Sequence, residues 1–310
     1  MKTIIIFAFL LVSLVILTSG VTVGSTKPGC CTGTTGNVDG NGIVDLTDLS
    51  ALVSYLTGGG YVLPCPSSAN VNGQGITDLG DLSTLLSYLT GGGYVLPGCP
   101  ITVTDIDSNV YQTVTIGAQV WMAENLKVTR YRNGDPIPDV TDSTTWLNLT
   151  TGAYCVYNND SGNVASFGRL YNWYAASDSR NIAPSGWHVP TDNEFKQLEM
   201  ALGMSQAEAD SVNWFRGDGV GGKLKEAGLT HWIAPNTGAS NISGFSALGG
   251  GCRREIYDFA NLRIEGYFWT ATEFSSIEAW HRRLNYLAWN VGRGYITKVE
   301  GGSIRCIKDN

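Results

Sequence analysis

The stretch Asn37-Val-Asp39-Gly-Asn41-Gly-Ile43-Val-Asp45-Leu-Thr-Asp48 decides how the first third of this chain folds, because the chain contains it twice. The second copy reads Asn70-Val-Asn72-Gly-Gln74-Gly-Ile76-Thr-Asp78-Leu-Gly-Asp81, each residue lying 33 positions after its counterpart. A leucine-rich run and then three glycines follow each copy. Such a repeat predicts two similar units that bury their apolar faces against each other.

The charges of this segment fall only where a calcium loop needs them. Between Cys30 and Cys99 there is no Lys, Arg, Glu or His, and all five aspartates stand at the third, ninth or twelfth place of a twelve-residue loop. Asn or Gln fills the first and fifth places and Gly the sixth, which is the layout of an EF-hand loop for Ca²⁺. The predicted ligands are Asn37, Asp39, Asn41, Ile43, Asp45 and Asp48, then Asn70, Asn72, Gln74, Ile76, Asp78 and Asp81, the isoleucines through their carbonyls.

The alternative interpretation is a pair of Asx-rich turns before two helices, with Asp48 and Asp81 as simple N-caps. It does not explain why every charge of the segment falls at a ligand place in both copies. The second loop has two carboxylates where the first has three, so we expect it to bind calcium more weakly.

Each loop leads into a short amphipathic helix that ends at its glycine run. The apolar stripes are Leu49, Leu52, Val53 and Leu56 in the first copy and Leu82, Leu85, Leu86 and Leu89 in the second. Residues 37–60 and 70–93 thereby resemble the two loop-plus-helix repeats of a type I dockerin, in which the twelfth loop residue is also Asp. The resemblance implies a small all-α module with F-hand, EF-hand-like loops over residues 30–100, and a cohesin-like or cell-surface protein as its partner.

The composition separates this module from the rest of the chain. All nine tryptophans lie between Trp121 and Trp289, so residues 101–310 form a different kind of domain. The net charge of −7 includes the five loop aspartates. The chain has no basic stripe, which argues against a nucleic-acid partner.

The N-terminus predicts export. Lys2 precedes an apolar run over residues 4–17 that is short for a membrane span. We therefore expect a signal peptide at residues 1–20, a leader at 21–29, and a secreted, extracellular or cell-surface protein. An uncleaved signal acting as an anchor is the alternative, and it is the one membrane contact that we expect.

Seven cysteines fit an exported chain. Four of them bracket the repeats: Cys30, Cys31, Cys65 and Cys99. Two disulfides are favoured over a zinc site, because adjacent cysteines are poor zinc spacing and no histidine is near. Their pairing is left open. In the second domain we expect Cys252 to pair with Cys306, which leaves Cys155 as the odd thiol.

The second domain has the pattern of an α+β fold with short antiparallel sheets and much irregular loop. A hairpin is predicted over residues 103–116, a third strand around Val120-Trp121, and a short helix over 222–227. Thr191-Asp-Asn-Glu194 and Ser205-Gln-Ala-Glu208 are capping boxes that predict helix starts. Later strands are expected at residues 244–254, 266–272, 279–285 and 303–307.

Several phrases of this domain, in their order, resemble the Fibrobacter succinogenes major paralogous domain. They include Val110-Tyr-Gln-Thr-Val-Thr-Ile-Gly, Gly168-Arg-Leu-Tyr-Asn-Trp-Tyr, Ala183-Pro-Ser-Gly-Trp-His-Val-Pro, Gly266-Tyr-Phe-Trp-Thr-Ala-Thr-Glu and Ser303-Ile-Arg-Cys-Ile-Lys-Asp. The resemblance implies a C-type-lectin-like fold, which formylglycine-generating enzymes share. The family often has Cys where this chain has Ala183, which leaves the partner of Cys306 open.

Two classes of function are weighed for this domain. The chain has no nucleophile elbow, P-loop or H-E-x-x-H signature, and His188, His231 and His281 have no metal-ligand spacing. A carbohydrate-active or modifying enzyme using Glu124 or Glu273 is therefore the alternative. A non-catalytic lectin-like domain that binds polysaccharide is preferred, because sugars stack on aromatic rings and hydrogen-bond to Asn, Glu and Arg. The expected ligand surface is Trp269, Glu273, Trp280, His281, Arg283, Asn285 and Trp289.

Overall fold

The computed structural model describes residues 35–72, 77–96, 102–254 and 258–309. The chain divides between Ile101 and Thr102 into two compact units. The fold is mixed α+β with several small, mainly antiparallel sheets, which confirms the predicted class at that level. No helix of the described residues is long and apolar enough to cross a bilayer. The expected signal peptide and leader lie outside the described ranges.

The first unit is helical. Its helices are α1 (Leu46–Leu56), α2 (Pro66–Ala69) and α3 (Leu79–Leu89). The long helices begin at Asp45 and Asp78, three residues before the N-caps that the turn interpretation expects. Asp48 and Asp81 complete a capping box with these residues instead.

The leucine stripes pack the two repeats together. Leu52 and Leu85 are fully buried at the same place in α1 and α3, as the repeat predicts. Val53 departs from its predicted stripe and is 38% exposed. Cys65 is disulfide-bonded, with its partner outside the described residues.

The second unit combines short helices with three sheets. Its helices are α4 (Ser143–Leu147), α5 (Asn163–Phe167), α6 (Trp173–Ala176), α7 (Asp192–Ala201), α8 (Gln206–Asp210) and α9 (Val220–Leu224), with a 3-10 turn at Tyr157–Asn159. Its strands are β1 (Thr102–Thr104), β2 (Val110–Ile116), β3 (Gln119–Met122), β4 (Tyr154–Cys155), β5 (Leu170–Tyr171), β6 (Trp187–His188), β7 (Asn213–Arg216), β8 (Gly250–Arg254), β9 (Asp258–Leu262), β10 (Glu265–Glu273), β11 (Glu278–Asn285), β12 (Val291–Thr297) and β13 (Ile307–Lys308).

These strands form a five-stranded sheet in the order β1-β2-β3-β13-β6, a six-stranded sheet in the order β7-β12-β11-β10-β8-β9, and the β4-β5 pair. The predicted hairpin is confirmed, since Val103 pairs with Tyr111 in β1 and β2. Both capping boxes are confirmed at the starts of α7 and α8. Strand β12 was not predicted, because Val291-Gly-Arg-Gly-Tyr has two glycines where a strand signal needs side chains.

The expected bond between Cys252 and Cys306 is wrong. Cys155, Cys252 and Cys306 are free, buried thiols. Cys306 belongs to the apolar core beneath the five-stranded sheet, whereas Cys252 lies in β8 beside the Arg254 guanidinium, 3.4 Å from its Nε. Burial raises the pKa of the Cys252 thiol to about 11, so it is a packed, unreactive group.

Helix α7 is fastened to the large sheet by a buried group of charges, which we call the arginine cluster: Asp192, Glu199, Arg216, Arg282 and Arg293. Glu199 Oε1 accepts from Arg216 at 2.7 Å and from Arg282 at 2.6 Å. Asp192 accepts from both nitrogens of the Arg293 fork, at 2.9 and 2.7 Å. The third positive charge is offset by backbone carbonyls at the end of α8, including Asp210 O at 2.8 Å from Arg293 Nη1. Buried charges need pairing of this kind.

Replacing Glu199 with Ala should therefore destabilise the second unit strongly. The change leaves Arg216 and Arg282 buried without their shared carboxylate, and breaking a buried pair costs about 3–5 kcal/mol. Urea denaturation measures this loss. Asp210→Ala is the matched control, because Asp210 is exposed and its solvent-screened ion pair with Lys196 should contribute little to stability. Equal effects of the two substitutions would contradict the assignment.

Candidate functional site

The expected ligand residues of β10 and β11 lie on two opposite faces of the large sheet. Successive side chains of a strand point to opposite sides, so Trp280 is separated from His281 and Arg283. The register pairs Trp269 with His281 across β10 and β11, and Trp280 with Tyr295 across β11 and β12. We call the side of Trp280 the outer face and the side of His281 the inner face.

The inner face is core at its centre. Trp269 and His281 are each 1% exposed, so neither can contact a ligand at the surface, contrary to the expected ligand set. Desolvation lowers the pKa of His281 to about 3, and the charge of Arg282 adds to this shift. His281 is therefore neutral at physiological pH and stacks beside Tyr267.

The end of the inner face is polar but internally satisfied. The buried carboxylate of Glu265 accepts from Arg283, Tyr267, Asn285 and Asn261, the last two at 2.8 and 2.7 Å. Four donors on one carboxylate leave it little capacity for a ligand. Arg283 and Asn285, both expected at a sugar site, thus serve mainly to hold β10 and β11 together.

The outer face carries an exposed aromatic group that we call the aromatic platform: Phe274, Trp280 and Tyr295. Phe274 and Tyr295 stack face to face with centroids 3.7 Å apart and planes 5° apart. Trp280 stands nearly perpendicular to both rings, 5.1 and 5.7 Å away, so it lies beside the stack rather than over it. Phe274 is 43% exposed and Tyr295 is 40% exposed, so both side chains are accessible at the surface.

The arginine cluster supports this platform from below. The Arg293 guanidinium lies 3.8 Å from the centroid of the Trp280 ring, within cation–π distance. Asp192 holds that guanidinium in place with its paired hydrogen bonds. The platform is therefore anchored to helix α7 through Arg293.

The hairpin that carries Phe274 is also fixed. The backbone N–H groups of Phe274 and Ser275 both donate to Glu278 O at 3.0 Å. Lys298 Nζ donates to Ser276 O at 2.8 Å and pairs with the Glu273 carboxylate. A surface whose rings and backbone are already ordered loses little conformational entropy on binding.

The remaining candidate residues lie apart from the platform face. Glu273 points toward Lys298, on the opposite side of the hairpin from Trp280, and Glu124 is paired with Lys127 at 2.9 Å. Trp289 is 50% exposed on the β11–β12 loop beside Leu287.

Sequence reasoning missed Phe274 and Tyr295, although the cross-strand spacing of aromatic residues around Trp280 is visible once β12 is known.

Two of the histidines are held by carboxylates. His188 contacts Asp309 through Nδ1 at 2.6 Å and Glu194 through Nε2 at 2.8 Å. His231 Nδ1 lies 2.8 Å from Glu226. Burial lowers the pKa of His188, but the bonds to Asp309 and Glu194 outweigh it and raise the pKa overall. These contacts tie chain segments together and face no shared cleft with the third histidine, His281.

The two calcium-loop copies have the same hydrogen bonds. Asp48 accepts from the N–H groups of Asp39 and Asp45 at 2.9 and 2.8 Å. Asp81 accepts from the equivalent N–H groups of Asn72 and Asp78, at 3.0 and 2.8 Å. Both carboxylates are fully buried, and burial raises the pKa of Asp48, with the charge of Asp39 adding to the rise.

The first loop also has oxygens directed toward a common region. The Thr47 hydroxyl lies 2.7 Å from Asp39 Oδ2 and 2.6 Å from Asp45 Oδ1, so these carboxylates approach each other. Asn37 Oδ1 is buried and has no hydrogen-bond partner among the described residues. Gly42, at the sixth place, has φ +97°, as the sharp turn requires. This oxygen set fits a hard cation.

The second loop is described only in part. Gln74 and Ile76 lie outside the described residues, and Gly80 stands where the first loop has Thr47. Within the described ranges, no three His, Cys, Asp or Glu side chains lie close enough together to form a metal cluster by themselves. In an EF-hand loop the amide and backbone oxygens supply the other ligands. Calcium binding therefore stays a prediction.

Comparison with known proteins concerns the second unit. A family model described as the Fibrobacter succinogenes major domain matches residues 114–308, more than half of the chain. No dockerin model matches the duplicated segment. No curated protein and no solved structure matches the chain significantly.

Acidification should weaken the ion pair between Asp192 and Arg293, which supports the platform. Burial raises the pKa of this carboxyl, but Arg293 and Arg282 outweigh that effect and hold the pKa at about 2. Ionised Asp192 then contributes about 2 kcal/mol at pH above 4, and this is lost as the pH falls toward 2. Denaturation curves between pH 5 and pH 2 should show a larger loss of stability in the wild type than in Asp192→Asn, by about 2 kcal/mol. The same pH dependence in both proteins would contradict the prediction.

Proposed function

The chain belongs to the Fibrobacter succinogenes major domain family, and we propose that its family domain is a non-catalytic, lectin-like module that binds polysaccharide. In this proposal the protein is secreted or displayed on the cell surface. The duplicated segment is a calcium-binding, dockerin-like attachment module. Together they would connect a polysaccharide to a scaffold or a surface.

The aromatic platform is the observation that carries the binding proposal. A sugar ring presents apolar C–H groups on its faces and hydroxyls around its edge, so it stacks on a flat aromatic ring. The exposed rings of Phe274 and Tyr295 are the candidates for such stacking, and the hairpin bonds and the Arg293–Trp280 contact hold them in place. Exposed aromatic side chains that are ordered in this way are more typical of a binding site than of packing.

The distribution of acids and bases supports binding over catalysis. A glycosidase needs two carboxyl groups flanking one bond, with different proton affinities. Glu124 and Glu273 are each paired with a lysine, and they lie in different parts of the unit, Glu124 after β3 and Glu273 at the end of β10. His281 is buried and neutral. Turnover of a polysaccharide by this protein, lost in Glu273→Gln, would favour the enzymatic alternative.

Two buried aspartates support the calcium proposal. Asp48 and Asp81 are fully buried in a segment that contains no Lys, Arg or His to balance them. Buried charges are ordinarily paired or bound to a metal, and Ca²⁺ would supply the missing positive charge. Asn37, Asp39, Asn41, Asp45, Asp48 and the Ile43 carbonyl would hold the ion in the first loop.

A protein partner of this module would meet an apolar surface. Leu46 and Leu79, at the tenth place of each loop, are 70% and 64% exposed. They start the two related helices, so a partner could meet equivalent leucines in either copy. We propose a cohesin-like or cell-surface protein as that partner, with apolar groups in place of the polar contacts that dockerins often use.

Substitutions in the platform should weaken binding to polysaccharide. Phe274→Ala and Tyr295→Ala each remove a stacking ring worth roughly 1 kcal/mol, so the affinity should fall about fivefold. Affinity electrophoresis in gels containing soluble polysaccharides measures retention without requiring a chosen oligosaccharide. Trp289→Ala, which removes a 50% exposed ring from the β11–β12 loop, is the control and should keep wild-type retention. Retention that is unchanged in both platform variants would contradict the proposal.

Removal of calcium should loosen the first unit selectively. Without the cation, the carboxylates of Asp39, Asp45 and Asp48 repel one another around a loop that lacks its central ion. Hydrogen exchange in EDTA should therefore accelerate in α1 and α3 and stay constant in the large sheet. Asp39→Asn should reproduce this effect at saturating calcium. An exchange pattern that EDTA leaves unchanged in the first unit would refute the calcium assignment.

A further inference from the structure

We propose that the aromatic platform discriminates saccharides by charge, and that Glu278 is the residue that does so. The inference rests on the proposed polysaccharide binding and specifies its ligand class: neutral or cationic sugars are accepted, and uronic acids or sulfated sugars are disfavoured. The proposal rests on the position of Glu278 on the platform face of β11 and on the pairing of the nearby cations.

Glu278 lies on the platform face of the sheet. It is two residues before Trp280 in β11, so both side chains point to the outer face. Its cross-strand partner is Thr297, two residues after Tyr295 in β12. The Glu278 carboxylate is therefore next to the platform along both strands.

The carboxylate of Glu278 has no cationic partner. Ser275 Oγ donates to its Oε2 at 3.2 Å, and among the described residues no Lys, Arg or His forms an ion pair with it. The side chain is partly exposed. Its second oxygen is thus available as an acceptor for a sugar hydroxyl, at a place where a stacked sugar ring would present its edge.

The cations on this side of the sheet are buried or already paired. Arg282 and Arg293 are 2% and 6% exposed and both bind Asp192. Lys196 is paired with Asp192 and Asp210. At the hairpin, Lys298 is held by Glu273 on the opposite side. A ligand on the platform thus meets an unpaired carboxylate and no free positive charge among the described residues.

The charge of Glu278 should alter the affinity of the platform for charged sugars. A ligand carboxylate or sulfate some 6 Å from Glu278 would experience like-charge repulsion, strengthened where the ligand displaces water. An amino sugar would experience an attraction of similar size. At low ionic strength the affinity should be about 3–10 times lower for an anionic sugar, and about 3–10 times higher for an amino sugar, than for a neutral one. Both factors shrink as salt screens the charges.

Three β-1,4-linked tetramers of one backbone test the inference: those of glucose, glucuronate and glucosamine. Titration of the full chain, followed by tryptophan fluorescence, should rank them glucosamine, then glucose, then glucuronate at 20 mM salt. Raising the salt to 500 mM should bring the three affinities together. Glu278→Gln, which can keep the Ser275 bond, should bring the three affinities to within about twofold of one another at 20 mM salt.

Glu124→Gln is the matched control, because it removes one negative charge from the segment after β3, outside the platform, and should preserve the ranking. If none of the three tetramers nor any soluble polysaccharide binds the wild type, the proposed function fails and the inference fails with it. If glucose tetramer binds but glucuronate binds equally well or better, only the inference is overturned. The same holds if Glu278→Gln and Glu124→Gln change the ranking equally.

Discussion

The bidentate bond between Asp192 and Arg293 is the interaction on which the exposed part of the second unit depends. Asp192 belongs to the first turn of α7 and Arg293 to the middle of β12, 101 residues later in the chain. A buried guanidinium is tolerated only when carboxylates and carbonyls satisfy its donors, so the whole arginine cluster must assemble together. Once it has assembled, Arg293 presents its flat surface to Trp280.

The large sheet links the buried arginine cluster to the exposed aromatic platform. Because side chains alternate along β11, one strand contributes Arg282 to the cluster, Trp280 to the platform and Glu278 beyond it, all on the same face. The intervening residue His281 enters the core on the other face. A binding surface and a core are thus built from neighbouring residues of one strand, which explains why residues close in sequence have such different burial.

The first unit is organised by a different constraint. Between Cys30 and Cys99 its charged side chains are all carboxylates, and two of them are buried at helix starts where backbone N–H groups satisfy their oxygens. Hydrogen bonds of that kind orient a carboxylate but do not cancel its charge. The unbalanced negative charge is therefore the property of this unit that most strongly favours a bound cation. The same excess of aspartates is visible in the repeated sequence.

The sequence by itself determined the features that depend on local chemistry. Capping boxes, the β1–β2 hairpin, the duplicated helices and the family phrases are each set by residues a few positions apart, and the structure or the family match agrees with them. Tertiary structure alone decided which of the expected ligand residues reach solvent. Trp269 and Trp280 are the same residue type in adjacent strands, and strand register together with the packing of the inner face against β5 and α6 makes Trp269 core and leaves Trp280 half-buried. The same reason explains Cys252 and Cys306, since pairing requires proximity in space that spacing along the chain does not supply.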